Sequence, residues 1–308
     1  MQVHRNIDLL PVFKNAVVTI GTFDGVHTGH QQIIAQLKNE AAIVGGETVI
    51  ITFHPHPRKV VSEKKIFVLN TLDEKIELLA QKGINHLVIV PFTESFAHQS
   101  PEEYALHFLW EKFHPHTVII GYDHKFGKNR EGDYQLLEKF GKQLGFFVKE
   151  IPEHLLNEVI VSSTKIREAL LRGDVGTANN CLGYNYFFAG EIVHGNKIGR
   201  ELGYPTANIH VKDEEKLIPG NGIYAVEAIL SADNANMLKG MMSIGIRPTI
   251  NGKDRVIEVN IFDFEKDIYE KNLRIYVKYY LREEVKFNSL EDLKLQLAKD
   301  KIETLKLL

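Results

Sequence analysis

Four short runs of continuous, largely β-branched apolar residues, at 17–20, 48–53, 87–92 and 117–120, set the tightest limit on what this chain can fold into. A strand with one wet face alternates apolar and polar residues, so a run without alternation has both faces covered, as in a parallel sheet. Helical stretches near 29–44, 73–82, 102–112 and 133–144 lie among these runs. They supply the crossovers that parallel strands need. The expected fold here is a doubly wound, Rossmann-like α/β sheet, with its ligand beyond the carboxyl ends of the strands.

From about residue 186 the texture changes. Segments 186–194, 222–230, 240–246, 255–263 and 273–281 are short, β-rich and separated by Gly, Pro, Asn and Asp, which predicts a small antiparallel barrel. An amphipathic stretch at 289–308 predicts a closing helix packed on that barrel, and 163–183 reads as a helical bridge. Two domains are expected, 1–183 and 184–308, and each is long enough to bury a core.

Bulk properties remove several functions. The net charge is −3 with no basic stripe, which argues against nucleic acid as a partner. One cysteine, Cys181, excludes a disulfide framework within the chain. No secretory signal pattern opens the sequence, and no apolar stretch approaches a membrane span. The expected setting is cytoplasmic, without a membrane partner.

The densest local signal is Gly21-Thr22-Phe23-Asp24-Gly25-Val26-His27-Thr28-Gly29-His30, between the first buried run and the first helix. Its glycines permit tight turns and close backbone approach. A helix start offers free N–H groups and positive dipole character to phosphate. His27 and His30, three apart, can project to one side and donate to a phosphate that gains charge during transfer. A lone histidine at such a turn is more often a surface residue; the whole string in a strand-to-helix setting favours phosphate.

A second string is Ser162-Ser163-Thr164-Lys165-Ile166-Arg167. Ser163 or Thr164 can cap the helix that follows, whose apolar face is Ile166, Ala169 and Leu170. Lys165 and Arg167 sit in the first turn, where the helix dipole disfavours cations unless an anion is bound. A capped helix with solvated charges accounts for this string equally well.

In the barrel half, Gly195, Gly199 and Gly203 recur through a segment broken by Asn196, Arg200 and Pro205. The pattern reads as a flexible loop presenting backbone N–H groups, and it does not match the common P-loop. Beyond Pro205 the chain is extended, so Thr206 and Asn208 face the same way. A hydroxyl beside an amide oxygen suits magnesium, although a polar turn would look the same. In 255–264, alternation puts Ile257, Val259 and Ile261 on one face and Glu258 and Asn260 on the other. On a half-buried strand such a Glu most often meets water.

Taken together, the His27–His30 and Ser162–Arg167 strings resemble the HxGH and SSTxxR signatures of nucleotidyltransferases. More narrowly they resemble the adenylyltransferase half of bacterial bifunctional riboflavin kinase/FMN adenylyltransferases. The strings at 52–58 and 121–127 are similar to two further strings of that family. GRELGYPTAN at 199–208 with the later Glu258 resembles the riboflavin kinase module, a six-stranded barrel, as do the strings at 222–226 and 244–249. The resemblance covers nearly the whole chain.

The resemblance implies roles. His27, His30, Ser163, Thr164 and Arg167 would hold the ATP phosphates, Gly21, Phe23, Asp24 and Gly25 would shape the nucleotide site, and Asp123 would lie on the flavin side. FMN would attack the α-phosphorus and release pyrophosphate, without a general base. In the barrel, Gly195, Lys197 and Gly199 would cover the phosphates of a second ATP, Thr206 and Asn208 would hold it with Mg2+, and Glu258 would take the proton from riboflavin. The products would be FMN and then FAD, from a monomer or weak homo-oligomer. The sequence departs from the family at His54, where Glu is frequent, at His124, where Phe is common, and at Glu270, where Gly follows the Tyr. Asn272 is then expected to supply the left-handed turn residue. The rival readings are a chain with one active half, a nucleotidyltransferase for another phosphate acceptor, which leaves the barrel unexplained, and a flavin-sensing or RNA-binding regulator.

Overall fold

The structure is a computed structural model describing residues 1–62, 65–151, 161–195, 199, 202–230, 236–249 and 252–308. The chain forms two compact units, Met1–Ser163 and Thr164–Leu308.

In the first unit, strands β1 (Gln2–His4), β2 (Val17–Ile20), β3 (Thr48–His54), β4 (His86–Pro91), β5 (Thr117–Gly121) and β6 (Phe147–Ile151) make one sheet in the order β1-β4-β3-β2-β5-β6. Every pairing is parallel. The four continuous runs form the central strands, and Val17, Val18, Val49, Ile50, Leu87, Val88 and Val118 are wholly buried. The two edge strands went unanticipated. β1 is three residues long, and β6 reads Phe-Val-Lys-Glu-Ile with half its side chains in water, so neither carries an apolar run.

From β2 the chain proceeds through β3 to β4 in one direction, then returns to β5 on the other side of β2 and continues to β6. The order reverses between β2 and β5. Loops leaving those two strands lie at the switch point, the place where doubly wound sheets bind ligands. Helix α1 (Thr28–Val44) rises from the β2 loop and ends at Gly45 with φ 58°. The helix Leu72–Ala80 starts in a reciprocal capping box between Thr71 and Glu74. The helical stretch expected at 102–112 widens into a π-helix over Tyr104–Trp110.

In the second unit, β7 (Phe187–Val193), β8 (Ala207–His210), β9 (Gly222–Leu230), β10 (Leu238–Thr249), β11 (Gly252–Ile261) and β12 (Asn272–Arg282) close a barrel in the order β10-β11-β8-β7-β12-β9. All its pairings are antiparallel. Along β11, Ile257, Val259 and Ile261 are buried as expected, but the alternation is incomplete: Glu258 is half-buried and Asn260 is buried, its amide donating to the Pro205 carbonyl at 2.7 Å. Strand β8 is short and joins β11 through Glu258–Asn208 and Val259–Ala207 among the described residues. The C-terminal helix Leu290–Leu307 packs on β9, β10 and β12. It is tied by the buried Asp300, which receives Arg282 Nε and Nη2 at 2.9 and 2.6 Å. The helices Ser163–Leu171 and Val175–Leu182 precede the barrel, and Asn179 of the second donates to the Val277 carbonyl at 3.0 Å.

Candidate active sites

The loop between β2 and α1 is tied down at many points. Its first amide, Gly21 N–H, donates to the Ile51 carbonyl at 3.0 Å. The Thr22 carbonyl accepts from the Thr52 hydroxyl at 3.1 Å and from Lys75 Nζ at 2.7 Å. Asp24 is buried and its carboxylate accepts the Leu69 and Asn70 amides at 2.8 and 3.4 Å. Ser163, the first residue of its helix, donates its hydroxyl to the Asp24 carbonyl at 2.9 Å.

The backbone here is strained. Phe23, Gly25 and Val26 have φ of 48°, 87° and 38°. Glycine takes such angles freely, whereas a β-branched valine there is a rare outlier costing on the order of 1–3 kcal/mol. The fully buried side chains of Phe23 and Val26 anchor the shape. A loop that keeps its shape at that cost holds backbone N–H groups and side chains in one arrangement for a ligand.

His27 caps α1, its Nδ1 accepting the His30 amide at 3.4 Å. The two imidazoles stack with centroids 3.7 Å apart, and Phe23 lies 4.9 Å from the His30 ring. Burial pushes the pKa of His30 well below its usual value, and the neighbouring His27 and Lys75 push the same way. His30 Nδ1 is buried without a hydrogen-bond partner. Two stacked imidazoles, one with a spare buried nitrogen, form a site that a phosphate oxygen would complete.

The sequence-predicted residues Gly21, Phe23, Asp24, Gly25, His27, His30 and Ser163 thus meet in and around one loop. Thr164 and Arg167 follow Ser163 on its helix, one and four residues on, in the second unit. Asp123 is exposed on the turn after β5, across the switch point from that loop in the strand order. Next to it, His124 leans on Phe126 with centroids 6.1 Å apart. Its Nε2 is buried without a partner, and burial lowers its pKa to about 4.

Sequence reasoning missed two features. One is Lys75, which shares the inward stripe of its helix with Leu78 and Leu79; a lysine on that stripe was the available signal. The other is a run of aromatics at the carboxyl ends of the strands. Phe53, Phe92 and Phe96 lie 5.3–5.5 Å from one another, and Phe92 and Phe96 stay partly exposed.

In the barrel, register gathers the predicted groups. Asn208 on β8 stands directly opposite Glu258 on β11, so their side chains share a face, with Thr206 two residues before Asn208. Gly195 lies against Asn208: any side chain at that position would overlap the Asn208 amide. Gly199 accepts the Tyr204 amide at 2.8 Å. Lys197 lies outside the described residues. A cavity of about 150 Å3 opens beside Thr206, with Ile192, Val259, Ile261, Phe264 and Tyr269 among its walls. The Tyr269 ring packs 4.0 Å from that of His194. In the connection between β11 and β12 the left-handed residue after the Tyr is Glu270, with φ 64°, rather than Asn272. The Glu270 amide bonds to the Ile192 carbonyl at 2.9 Å, which fixes the turn one residue after the Tyr, where a glycine would fit best. Among the described residues no three His, Cys, Asp or Glu side chains gather as a metal site.

A family model described as FAD synthetase matches residues 11–165, and one described as riboflavin kinase matches residues 182–308. The chain is 36% identical over 296 residues to the bifunctional riboflavin kinase/FMN adenylyltransferase of Haemophilus influenzae, covering 96% of this chain and 94% of that one. The Listeria monocytogenes protein of the same name is 38% identical over 94% of this chain and 91% of its own length. A solved structure described as a macrolide-efflux protein from Streptococcus pneumoniae aligns over 98% of both chains with TM-score 0.88 and 28% identity. No helix among the described residues is long and apolar enough to cross a membrane.

Proposed function

The chain belongs to the bifunctional riboflavin kinase/FMN adenylyltransferases, and from that premise we propose which residues perform each step. The protein is a transferase that phosphorylates riboflavin to FMN in its C-terminal part and adenylylates FMN to FAD in its N-terminal part, consuming ATP in each reaction.

In the adenylyl transfer, an FMN phosphate oxygen bonds to the α-phosphorus of ATP while the bond from that phosphorus to the β-phosphate oxygen breaks, and pyrophosphate leaves. The nucleophile is already ionised, so the protein needs to position it and to stabilise charge. His27 and His30 contact the phosphates. His30, held neutral by its surroundings, donates a ring N–H to a phosphate oxygen without changing its own charge. The strained loop from Gly21 to Gly25 fixes these groups, and Ser163 pins it through the Asp24 carbonyl. Thr164 and Arg167 hold the triphosphate; that assignment rests on their positions in the family string. Asp123, with the aromatic faces of Phe92 and Phe96, forms the flavin side.

In the kinase reaction, the terminal ribityl hydroxyl of riboflavin bonds to the γ-phosphorus, ADP leaves, and Glu258 takes the hydroxyl proton. Thr206 and Asn208 offer a hydroxyl and an amide oxygen, a hard donor set that fits Mg2+ accompanied by phosphate. When bound, the ion neutralises charge on the phosphates. Gly195, Lys197 and Gly199 belong to the loop over those phosphates, and the cavity beside Thr206, whose walls include Glu265, Lys266 and Asp267 as well as Ile192, Phe264 and Tyr269, accepts the adenine ring.

The observation that carries the kinase assignment is the register pair Asn208–Glu258, which sets base and ligands side by side. The required residues all come from one chain, which supports a monomer or weak assembly that releases and rebinds FMN. A single buried cysteine fits a cytoplasmic setting. Riboflavin, ATP and magnesium incubated with the protein, with flavins resolved over time, should show FMN rising before FAD. FMN without FAD would remove the first assignment; riboflavin left unconsumed while supplied FMN still yields FAD would remove the second.

A further inference from the structure

Lys75 is 6% exposed, and its ammonium donates to the Thr22 carbonyl inside the loop between β2 and α1. An ammonium has three donors and a full charge. Among the described residues this is its one side-chain hydrogen bond, and no carboxylate pairs with it. Asp24 is the nearest acid that favours its charge, and that carboxylate already accepts two backbone amides. On the α1 side the charge faces His30, stacked on His27. Buried cations are costly unless an anion meets them. Three basic side chains therefore surround one loop, with a single acid, Asp24, whose Oδ1 accepts the Leu69 and Asn70 amides.

We propose that Lys75 is a third basic group of the adenylyl-transfer site, binding the polyphosphate tail of the nucleoside triphosphate beside His27 and His30. The proposal rests on reading the 21–30 loop as the phosphate site. Held at the Thr22 carbonyl, the ammonium sits where one of its remaining donors can reach a phosphate oxygen while another keeps the loop in place. Burial has lowered the pKa of Lys75 to about 8 despite the pull of Asp24. A bound polyanion restores the charge, so ATP binding near that pH takes up a proton, and ATP affinity falls as the pH rises past it.

The test is the rate of FAD formation from supplied FMN, over a range of ATP concentrations, from about pH 7 to about pH 9, where a group of this pKa changes charge. In the unaltered protein, KM for ATP should rise with pH, approaching about tenfold per unit above the lysine pKa. Lys75→Arg, which cannot lose its proton, should abolish that rise. Lys75→Met should raise KM for ATP at neutral pH by about tenfold to a hundredfold, the range for a lost charged hydrogen bond, with a smaller change in KM for FMN. Riboflavin phosphorylation by the same preparations should be unchanged. A lysine that only tethered the loop would give no pH-dependent KM for ATP. An ATP KM in Lys75→Met within twofold of the unaltered protein, or a pH rise that persists in Lys75→Arg, overturns the proposal. Should Lys75→Met fail to fold, the pH profile of Lys75→Arg decides alone. An unaltered protein that makes no FAD, or a His30→Ala variant that makes it normally, removes the phosphate-site reading itself.

Discussion

In the N-terminal unit the groups proposed to face phosphate come chiefly from one unbroken turn, residues 21–30, held in a strained backbone. In the barrel they come from Gly195, Thr206, Asn208 and Glu258, far apart in sequence and joined by strand register. The first set is basic: two stacked imidazoles and a buried ammonium. The second is made of hard oxygens and a carboxylate. The nucleophiles explain the contrast. FMN arrives with an ionised phosphate, so its site needs positive lining and no base. Riboflavin arrives with a hydroxyl, which must shed a proton, so its site needs Glu258.

Removing the base should be the severest blow to this contrast. Glu258→Gln is expected to lower riboflavin phosphorylation by about 10²–10⁴ while FAD formation from supplied FMN continues, as flavin chromatography would show. His30→Ala should lower FAD formation by about 10²–10³ and leave FMN formation intact. If either change removed both activities from a folded protein, the division between units would collapse.

The third prediction concerns acid. Burial holds the folded-state pKa of His124 at about 4, below its unfolded value, so the unfolded chain takes the proton first. Stability of the N-terminal unit should fall as the pH drops from about 6.5 to about 4, by at most about 3 kcal/mol from this residue. Thermal melts of His124→Phe should show that much less acid sensitivity; an unchanged profile would return His124 to an ordinary solvated histidine. Next, Gly195→Ala places a methyl group on the Asn208 amide. An over-packing cost of about 1–3 kcal/mol should appear as a higher ATP KM in the kinase assay alone. Smallest is Glu270→Gly, which should stabilise the barrel by about 1 kcal/mol by freeing a left-handed residue from its Cβ, read from denaturant unfolding.

What the sequence disclosed follows the same divide. The central strands were legible because burial on both faces leaves an unbroken apolar run, whereas β1 and β6, half in water at the edges, leave none. The 21–30 loop was legible because a local turn writes its needs into consecutive residues. Asn208 and Glu258 were suggestive only in combination, since no string records which strands pair. Lys75 hid inside a regular helix, its meaning visible only once Thr22 lay against it. Glu270 shows the reverse error: the connection between β11 and β12 is left-handed at Glu270, whereas the turn preference of asparagine pointed to Asn272.

The short pairing of β8 with β11 has a consequence for the life of the molecule. The barrel zips shut there through Ala207–Val259 and Asn208–Glu258, and this seam also holds the proposed base and the proposed magnesium ligands. Under that assignment, a chain that has folded every other strand but not fastened this one would have no kinase activity. A nucleotide bound across the seam would act as a staple, adding about 2.7 kcal/mol at a hundredfold excess over its Kd. Substrate supply would then set how often the barrel stands ajar, and proteases would find the hungry enzyme before the fed one.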